Sequence, residues 1–403
     1  MARPHERFTL VSPHERQESD RFYDDLMGAG PGAAPMTSRV PPGYASARRG
    51  AWREDAEDAE DSEAAEPAAR LVHDPKRGFA WILPKSSAMT PAVRREGGVG
   101  EGVDEEIFLP DTRQVVPDTT AIAFRFVCCL DLLFDHPKDS SQTLLLRGSG
   151  TLISDRHVLT CAHNILNVLP GFAEDGRRRV QRIMAAPGRN GRTLPFGEAG
   201  SANTRVSPEW ATADNAEFDF ALITLDNAIG ATTFAALGGA ALGFWSHPRL
   251  GGGTHIRPLD VAWLPGRPVN LDGYPSDKCL DQPPSRALTP AEAAACTGTV
   301  PGNPRLRDLG SMQWRSFGNV VEASPPSMPR VITYNNDSAV GHSGGPIWLR
   351  WEQYRNLIAV NTGGYPSATP PFTIVANMGV RITDAVLKTV RGWMKADGVN
   401  PTF

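Results

Sequence analysis

From residue 107 onward, short apolar runs alternate with turn residues. The runs AIAFRFVCCLDLLF, TLLLRGSGTLI, HVLTCAH, FDFALITL, PVNLDGYP, RVITYN, GPIWLRW and NLIAVNTGG are rich in β-branched and aromatic residues, and Pro, Gly, Asn and Asp punctuate them. Runs of this texture predict strands, and a long succession of them predicts an all-β barrel or sandwich. One helix is expected at the end, where TDAVLKTVRGWM places Val386, Leu387, Val390 and Trp393 on one face. The vicinal Cys128 and Cys129 fall inside an apolar run and read as small core residues. Residues 276–312 read as a long insertion.

Upstream the texture changes. Residues 1–70 are poor in aliphatic side chains, and residues 53–66 (REDAEDAEDSEAAE) are almost purely acidic and Ala. Such a segment buries too little apolar surface to offset chain entropy, so disorder is expected. A solvated helix is the competing reading, since Ala and Glu form helices well. The apolar patch FAWILP within 71–92 is expected to dock on another element, and GGVGEG at 97–102 reads as a flexible link. The chain thus divides into an extension, 1–106, and a folded domain, 107–403.

A net charge of −4 gives no electrostatic case for nucleic acid. The 39 Gly and 35 Pro favour turns and short elements over long helices. No apolar stretch approaches the roughly 18 residues of a membrane span. In the first 30 or so residues Arg3, His5, Glu6, Arg7, His14, Glu15 and Arg16 interrupt any apolar run, so no signal peptide is read. The five cysteines, Cys128, Cys129, Cys161, Cys279 and Cys296, are too few and odd in number for a disulfide scaffold. Cys279 and Cys296 are either bridged in an oxidising compartment or both free. There is no H-E-x-x-H, no paired C-x-x-C and no phosphate loop, so no metal and no cofactor are expected.

The chemistry concentrates in GHSGGP, residues 341–346. Glycines let a backbone approach a substrate closely, and the amides of Gly341 and Ser343 can then converge on one developing oxyanion. The same string fits the G-x-S-x-G elbow of α/β-hydrolases, whose His follows the Ser. No His follows Ser343 in this chain, so that reading loses its base. Upstream, SGTLISDRHVLTCAHN offers His157 and His163. His163 ends an apolar strand after small residues, whereas His157 sits beside Asp155 and Arg156 and reads as a surface residue. Asp219, between Phe218 and Phe220, starts another apolar strand. A carboxylate there is costly unless paired, and it suits the orientation of an imidazole. Asp214 and Asp226 fit less well. The order His163, Asp219, Ser343 is that of chymotrypsin-type proteases. It predicts a double β-barrel with the cleft between barrels and the C-terminal helix against the second. His342 reads as an exposed loop residue.

Between about 107 and 396 the chain resembles the bacterial glutamyl endopeptidases, a branch of the trypsin-like serine peptidases. The resemblance is carried in order by DTRQVVPDTTAIAFR, LTCAHN, APGRNG with PFG, EFDFALITL, DGYPSDK, the Met312 and Trp314 region, TYNNDSAVGHSGGPIW and MGVRITDAV. It implies a serine endopeptidase that acts on polypeptides as a monomer. It also implies that Asn361, Thr362, Gly363 and Gly364 line the substrate pocket. Asn361 stands where the family has a His, so a preference for glutamate is not expected. Asp337, six residues before Ser343, matches the place where trypsin-like enzymes keep an acid for Lys or Arg. The family's precursor processing maps to Glu106–Ile107. The family is extracellular; without a leader, a cytoplasmic location or leaderless export stays open. The alternative is a catalytically silent, protease-like binding module covered by residues 1–106.

Overall fold

A computed structural model describes residues 70–74, 78–84, 105–278, 299–300, 303–307 and 311–403, apart from 109, 192 and 368–373. The apolar runs form two large sheets. In the first, the order is Ala199–Ser201, Arg182–Pro187, Val127–Asp135, Gln142–Leu152, His157–Thr160, Ala221–Thr224, Asn203–Val206. In the second it is Thr254–Ile256, Tyr354–Pro366, Pro346–Trp351, Pro268–Gly273, Trp314–Glu322, Val331–Tyr334, Ile374–Arg381. The last strand pairs back onto Tyr354–Pro366, which closes a barrel. This is the expected chymotrypsin-like double barrel, finished by the helix Asp384–Ala396.

Strand Val127–Asp135 explains why the sequence shows continuous apolar runs instead of strict alternation. Cys128, Leu130, Leu132 and Phe134 enter the main core, while Val127 and Cys129 pack with Ala186 and Tyr274. Both faces of the strand are therefore covered, which removes the period-2 pattern. Tyr274 follows the second-barrel strand Pro268–Gly273 and donates its hydroxyl toward the carbonyls of Val127 (3.3 Å) and Arg189 (3.1 Å). This contact joins the barrels next to the cleft.

Two expectations are corrected here. The terminal helix buries Val386, Leu387, Val390 and Met394 in a core that both barrels share, and its end is fastened to the first barrel rather than to the second alone. Half-buried Trp393 lies 5.6 Å from Phe220. Asp397, just past the helix, accepts from Thr224 Oγ1 (2.7 Å) and from Arg205, and lies 3.2 Å from His157 Nε2. His157 is consequently buried rather than a surface residue. Its Nδ1 meets Ser154 Oγ at 2.7 Å. Its local sequence is polar, but its partner lies 240 positions away.

The FAWILP patch does dock. Strand Gly78–Pro84 pairs with Arg70–Asp74 and with Gln142–Leu152, in the register Trp81 opposite Leu145, and buries Ala80 and Ile82. Within the insertion, Thr299–Val300 and Asn303–Arg307 form a two-stranded ribbon. Cys279, Cys296, the acidic run 53–66 and the linker 97–102 lie outside the described residues.

Candidate active site

His163 sits in a single 3-10 turn, Ala162–Asn164, directly after strand His157–Thr160. Asp219 follows another such turn, Ala216–Phe218, at the entry to Ala221–Thr224. These strands are paired, with Ala221 opposite Thr160, so the two turns share one end of the barrel. Asp219 Oδ2 lies 2.6 Å from His163 Nδ1, and its Oδ1 accepts from the His163 amide at 2.9 Å. Both side chains are buried. The Asp thereby fixes both the ring and the turn that carries it. His163 Nε2 is 3.4 Å from Cys161 Sγ.

Ser343 lies in the loop before strand Pro346–Trp351. Gly341 has φ +103°, and a Cβ there would come 2.3 Å from the Tyr274 carbonyl. Gly344 has φ +85°, and a Cβ there would come 2.1 Å from Thr160 Oγ1. Only glycine fits either place, because the loop is pressed against both barrels. The Ser343 carbonyl accepts from the Ser149 amide (2.8 Å) and from Asn164 Nδ2 (3.0 Å). Both donors belong to the first barrel, so Ser343 and His163 come to the same cleft. Asn164 escaped the sequence reading, although it adjoins His163. Among the described residues, neither the Gly341 nor the Ser343 amide donates to another group.

His342 is fully buried, which corrects the expectation of an exposed residue. Its Nδ1 accepts from the Ala339 amide at 3.2 Å, and the ring packs beside Gly273. Burial, with Arg113 and Lys278 nearby, pushes its pKa well below the ordinary imidazole value.

Of the other positions singled out from sequence, Asp337 is buried under the N-terminal segment. Its Oδ1 accepts from the Phe108 amide (2.8 Å), and its Oδ2 accepts from the amide (2.8 Å) and hydroxyl (2.7 Å) of Thr112. Burial raises its pKa. Asn361 lies deep in strand Tyr354–Pro366 with Thr362 and Gly363 beside it, all buried. The Tyr334 hydroxyl shares its proton between Asn361 Oδ1 (2.5 Å) and the Met378 carbonyl (2.7 Å). Asn361 Nδ2 is therefore turned into the pocket. Glu106 and Ile107 are half-buried. The Glu106 carbonyl accepts from the Ser338 amide (3.1 Å) and from Asn377 Nδ2 (2.7 Å).

Glu105 was missed entirely. It is 5% exposed, and its Oε1 accepts from Asn361 Nδ2 (2.8 Å) and Ser343 Oγ (3.2 Å). Desolvation outweighs these hydrogen bonds and raises its pKa to about 8. An acidic tripeptide, Asp104–Glu106, ordinarily reads as solvated, and nothing local announces a partner 238 residues away.

Among the described residues, one group could hold a metal ion: Cys161, His163 and Asp219. The fit is poor. His163 Nδ1 and Asp219 Oδ2 face each other at 2.6 Å, too close for an ion between them, and Asp219 Oδ1 is taken by the His163 amide. The donor set is a hydrogen-bonded His–Asp pair.

No family profile matches the chain. A glutamyl endopeptidase of Bacillus licheniformis is 24% identical over 289 residues, which cover 70% of this chain and 67% of that protein. An extracellular metalloprotease of Bacillus subtilis is 21% identical over 284 residues, which cover 70% of this chain and 68% of that protein. Among solved structures, a Glu endopeptidase in complex with MPD gives a TM-score of 0.47 at 20% identity over 74% of this chain and 99% of that one. The thermostable serine protease AL20 gives 0.39 at 16% identity over 66% and 94%. In its motif order, its two barrels and its curated relatives, the chain is similar to the bacterial glutamyl endopeptidases among the trypsin-like serine peptidases.

Proposed function

We propose that the protein is a serine endopeptidase with His163, Asp219 and Ser343 as its catalytic triad. The observation that carries this reading is the buried His163–Asp219 hydrogen bond at 2.6 Å, held in the cleft to which Asn164 and Ser149 tie Ser343. His163 takes the proton of Ser343 as the hydroxyl attacks the scissile carbonyl. Asp219 holds the tautomer and stabilises the imidazolium, and the Gly341 and Ser343 amides receive the oxyanion. The acyl-enzyme is released by water. Thr362–Gly364 pairs on one edge with strand Ile374–Arg381, and the pairing with Pro346–Trp351 ends before it. A substrate strand adds along that remaining edge. Residues 107–403 are the peptidase domain and residues 1–106 a segment removed at Glu106–Ile107.

One observation favours the rival reading, a silent binding module: Ser343 Oγ donates to Glu105 and not to His163. Active-site labelling by a fluorophosphonate decides between them. The processed enzyme should label at Ser343 and hydrolyse casein. Ser343→Ala and His163→Ala should each lose on the order of 10⁴-fold or more in kcat/KM while keeping the parent circular dichroism. Asp219→Asn should also be severe, through the wrong tautomer. Near-parent activity in Ser343→Ala would remove the triad assignment.

A further inference from the structure

Glu105 is a buried carboxyl in the cleft that the proposed mechanism does not use. Asn361 Nδ2 and Ser343 Oγ both donate to its Oε1. The Ser338 hydroxyl accepts from Asn361 Nδ2 at 3.3 Å and stands close enough to the carboxyl to favour its ionised form. Its Oε2 is buried with no partner among the described residues. Asn361 cannot turn away, because Tyr334 holds its carbonyl oxygen.

The groups around this carboxyl are uncharged, and two of them, Asn361 and Ser343, donate to it. Tyr334 comes from strand Val331–Tyr334, Cys161 from the segment before the His163 turn, Ser338 and Ser343 from the loop, and Asn361 from strand Tyr354–Pro366. Arg113 is the cation that acts on Glu105. That guanidinium is engaged with Asp111 at 2.8 Å and Asp277 at 2.5 Å. Burial therefore outweighs charge, and Glu105 keeps its proton up to about pH 8. A pocket of one carboxamide and two hydroxyls suits an oxygen that carries no charge. An ionised glutamate side chain entering it would meet the same desolvation that keeps Glu105 neutral.

We propose that Asn361 and Ser338 form a specificity pocket for an uncharged carboxamide or carboxyl side chain, so that the enzyme prefers glutamine on the acyl side of the cut bond, and that the Glu105 side chain fills this pocket until the chain is cut. The proposal rests on the serine peptidase reading above. In the filled state Ser343 Oγ gives its hydrogen bond to Glu105, so the nucleophile is not aimed at His163. Glutamine reproduces the accepting oxygen at any pH, whereas glutamate does so only when protonated.

Two measurements test the pocket and one separates it from the triad. In full-length protein with the 106–107 bond intact, Glu105→Ala should label with a fluorophosphonate at least ~10-fold faster than the parent at about pH 6. Glu105→Gln, neutral and of the same shape, should stay as slow as the parent at about pH 6 and remain slow at about pH 9, where the parent opens as Glu105 ionises. In the processed enzyme, kcat/KM for glutamine peptides should exceed that for glutamate peptides at least ~10-fold at about pH 8. The gap should narrow as pH falls, and Asn361→Leu should abolish it. Equal labelling of Glu105→Ala and parent, or a glutamate or lysine preference at about pH 8, overturns the proposal.

Heat stability reads the pocket without needing a nucleophile. The folded chain keeps a proton that the unfolded chain releases near the ordinary value of 4.5, so parent stability should fall relative to Glu105→Gln as pH rises from 4.5 to about 8, and then level off. A pH-independent difference between the two overturns the pocket. If that pH-dependent difference is present but no variant labels, the serine peptidase reading fails and the place of Glu105 stands.

Discussion

Asp272 and Arg315 sit side by side in the second barrel, on neighbouring strands paired at that register. Arg315 Nε donates to Asp272 Oδ1 at 2.8 Å, Trp348 Nε1 donates to Oδ2 at 2.5 Å, and both charges are buried. The guanidinium carbon also stands 3.9 Å from the ring centroid of Phe124. Such a pair is worth little against a hydrophobic replacement of both partners, but removing one leaves an uncompensated charge. Arg315→Met should therefore cost about 3–5 kcal/mol. Asp272→Asn leaves Arg315 just as uncompensated and turns an amide N–H toward one of the two donors, so it should also cost about 3–5 kcal/mol. Urea midpoints with a common slope measure both values, and losses below about 1 kcal/mol in both would mean that the charge itself is immaterial. At this scale the sequence is readable where chemistry is local. Asp219 between two Phe residues and Ser343 between glycines carry their reason beside them. His157, His342 and Glu105 do not. Each is buried by groups distant in sequence, so its polar neighbours in the chain mislead.

The elements were readable wherever burial sets a period. The terminal helix follows from its spacing, and its cap, the Thr383 hydroxyl accepting from the Val386 amide at 3.2 Å, marks its start. Its docking partner was not readable, because an amphipathic face says only that something apolar covers it. The deciding contacts lie beyond the helix. Asp397 joins Thr224, Arg205 and His157 of the first barrel, and those donors lower its pKa against the opposing effect of burial. Asp397→Ala should lower stability by about 1.5–3 kcal/mol at neutral pH, since it strands the Thr224 and Arg205 donors. The sign with pH follows from the lowered pKa. The carboxylate contributes fully above its ordinary value of 3.8 and loses the contribution as pH falls through its folded value. Thermal melts of parent and Asp397→Ala should therefore converge in strong acid, and a constant gap would assign the loss to packing alone.

At the scale of the molecule, the segment from Glu105 to Thr112 ties the N-terminal region to the substrate pocket. The Glu106 amide donates to Asn377 Oδ1 at 2.9 Å and its carbonyl is held by Ser338 and Asn377, while Phe108 and Thr112 hold Asp337. Cutting between Glu106 and Ile107 divides these anchors. Phe108 and Thr112 keep their grip on Asp337, whereas Glu105 and Glu106 stay on the upstream piece, which is then held by their hydrogen bonds to Asn361, Ser343, Asn377 and Ser338 and by the pairing of Gly78–Pro84 with the first barrel, and no longer by the chain beyond residue 107. The cut also creates an ammonium at Ile107, next to a pocket that lacks a cation in contact among the described residues. Loss of Glu105 and gain of the ammonium both favour a working cleft, so the intact chain should be a poor peptidase. Ile107→Pro is the cleaner block. Glu106→Pro would remove the Glu106 donor to Asn377, whereas the Ile107 amide makes no hydrogen bond among the described residues. Full-length Ile107→Pro should hydrolyse casein at least ~100-fold more slowly than processed enzyme, on the scale expected when a catalytic hydrogen bond is withheld. N-terminal sequencing of active parent enzyme should begin IFLPDT. Adding Glu105→Ala to Ile107→Pro should restore fluorophosphonate labelling but not full peptide hydrolysis, because the pocket would be empty while the new terminus is still missing. Full hydrolysis by the singly blocked chain would make residues 1–106 a permanent arm rather than a removable segment.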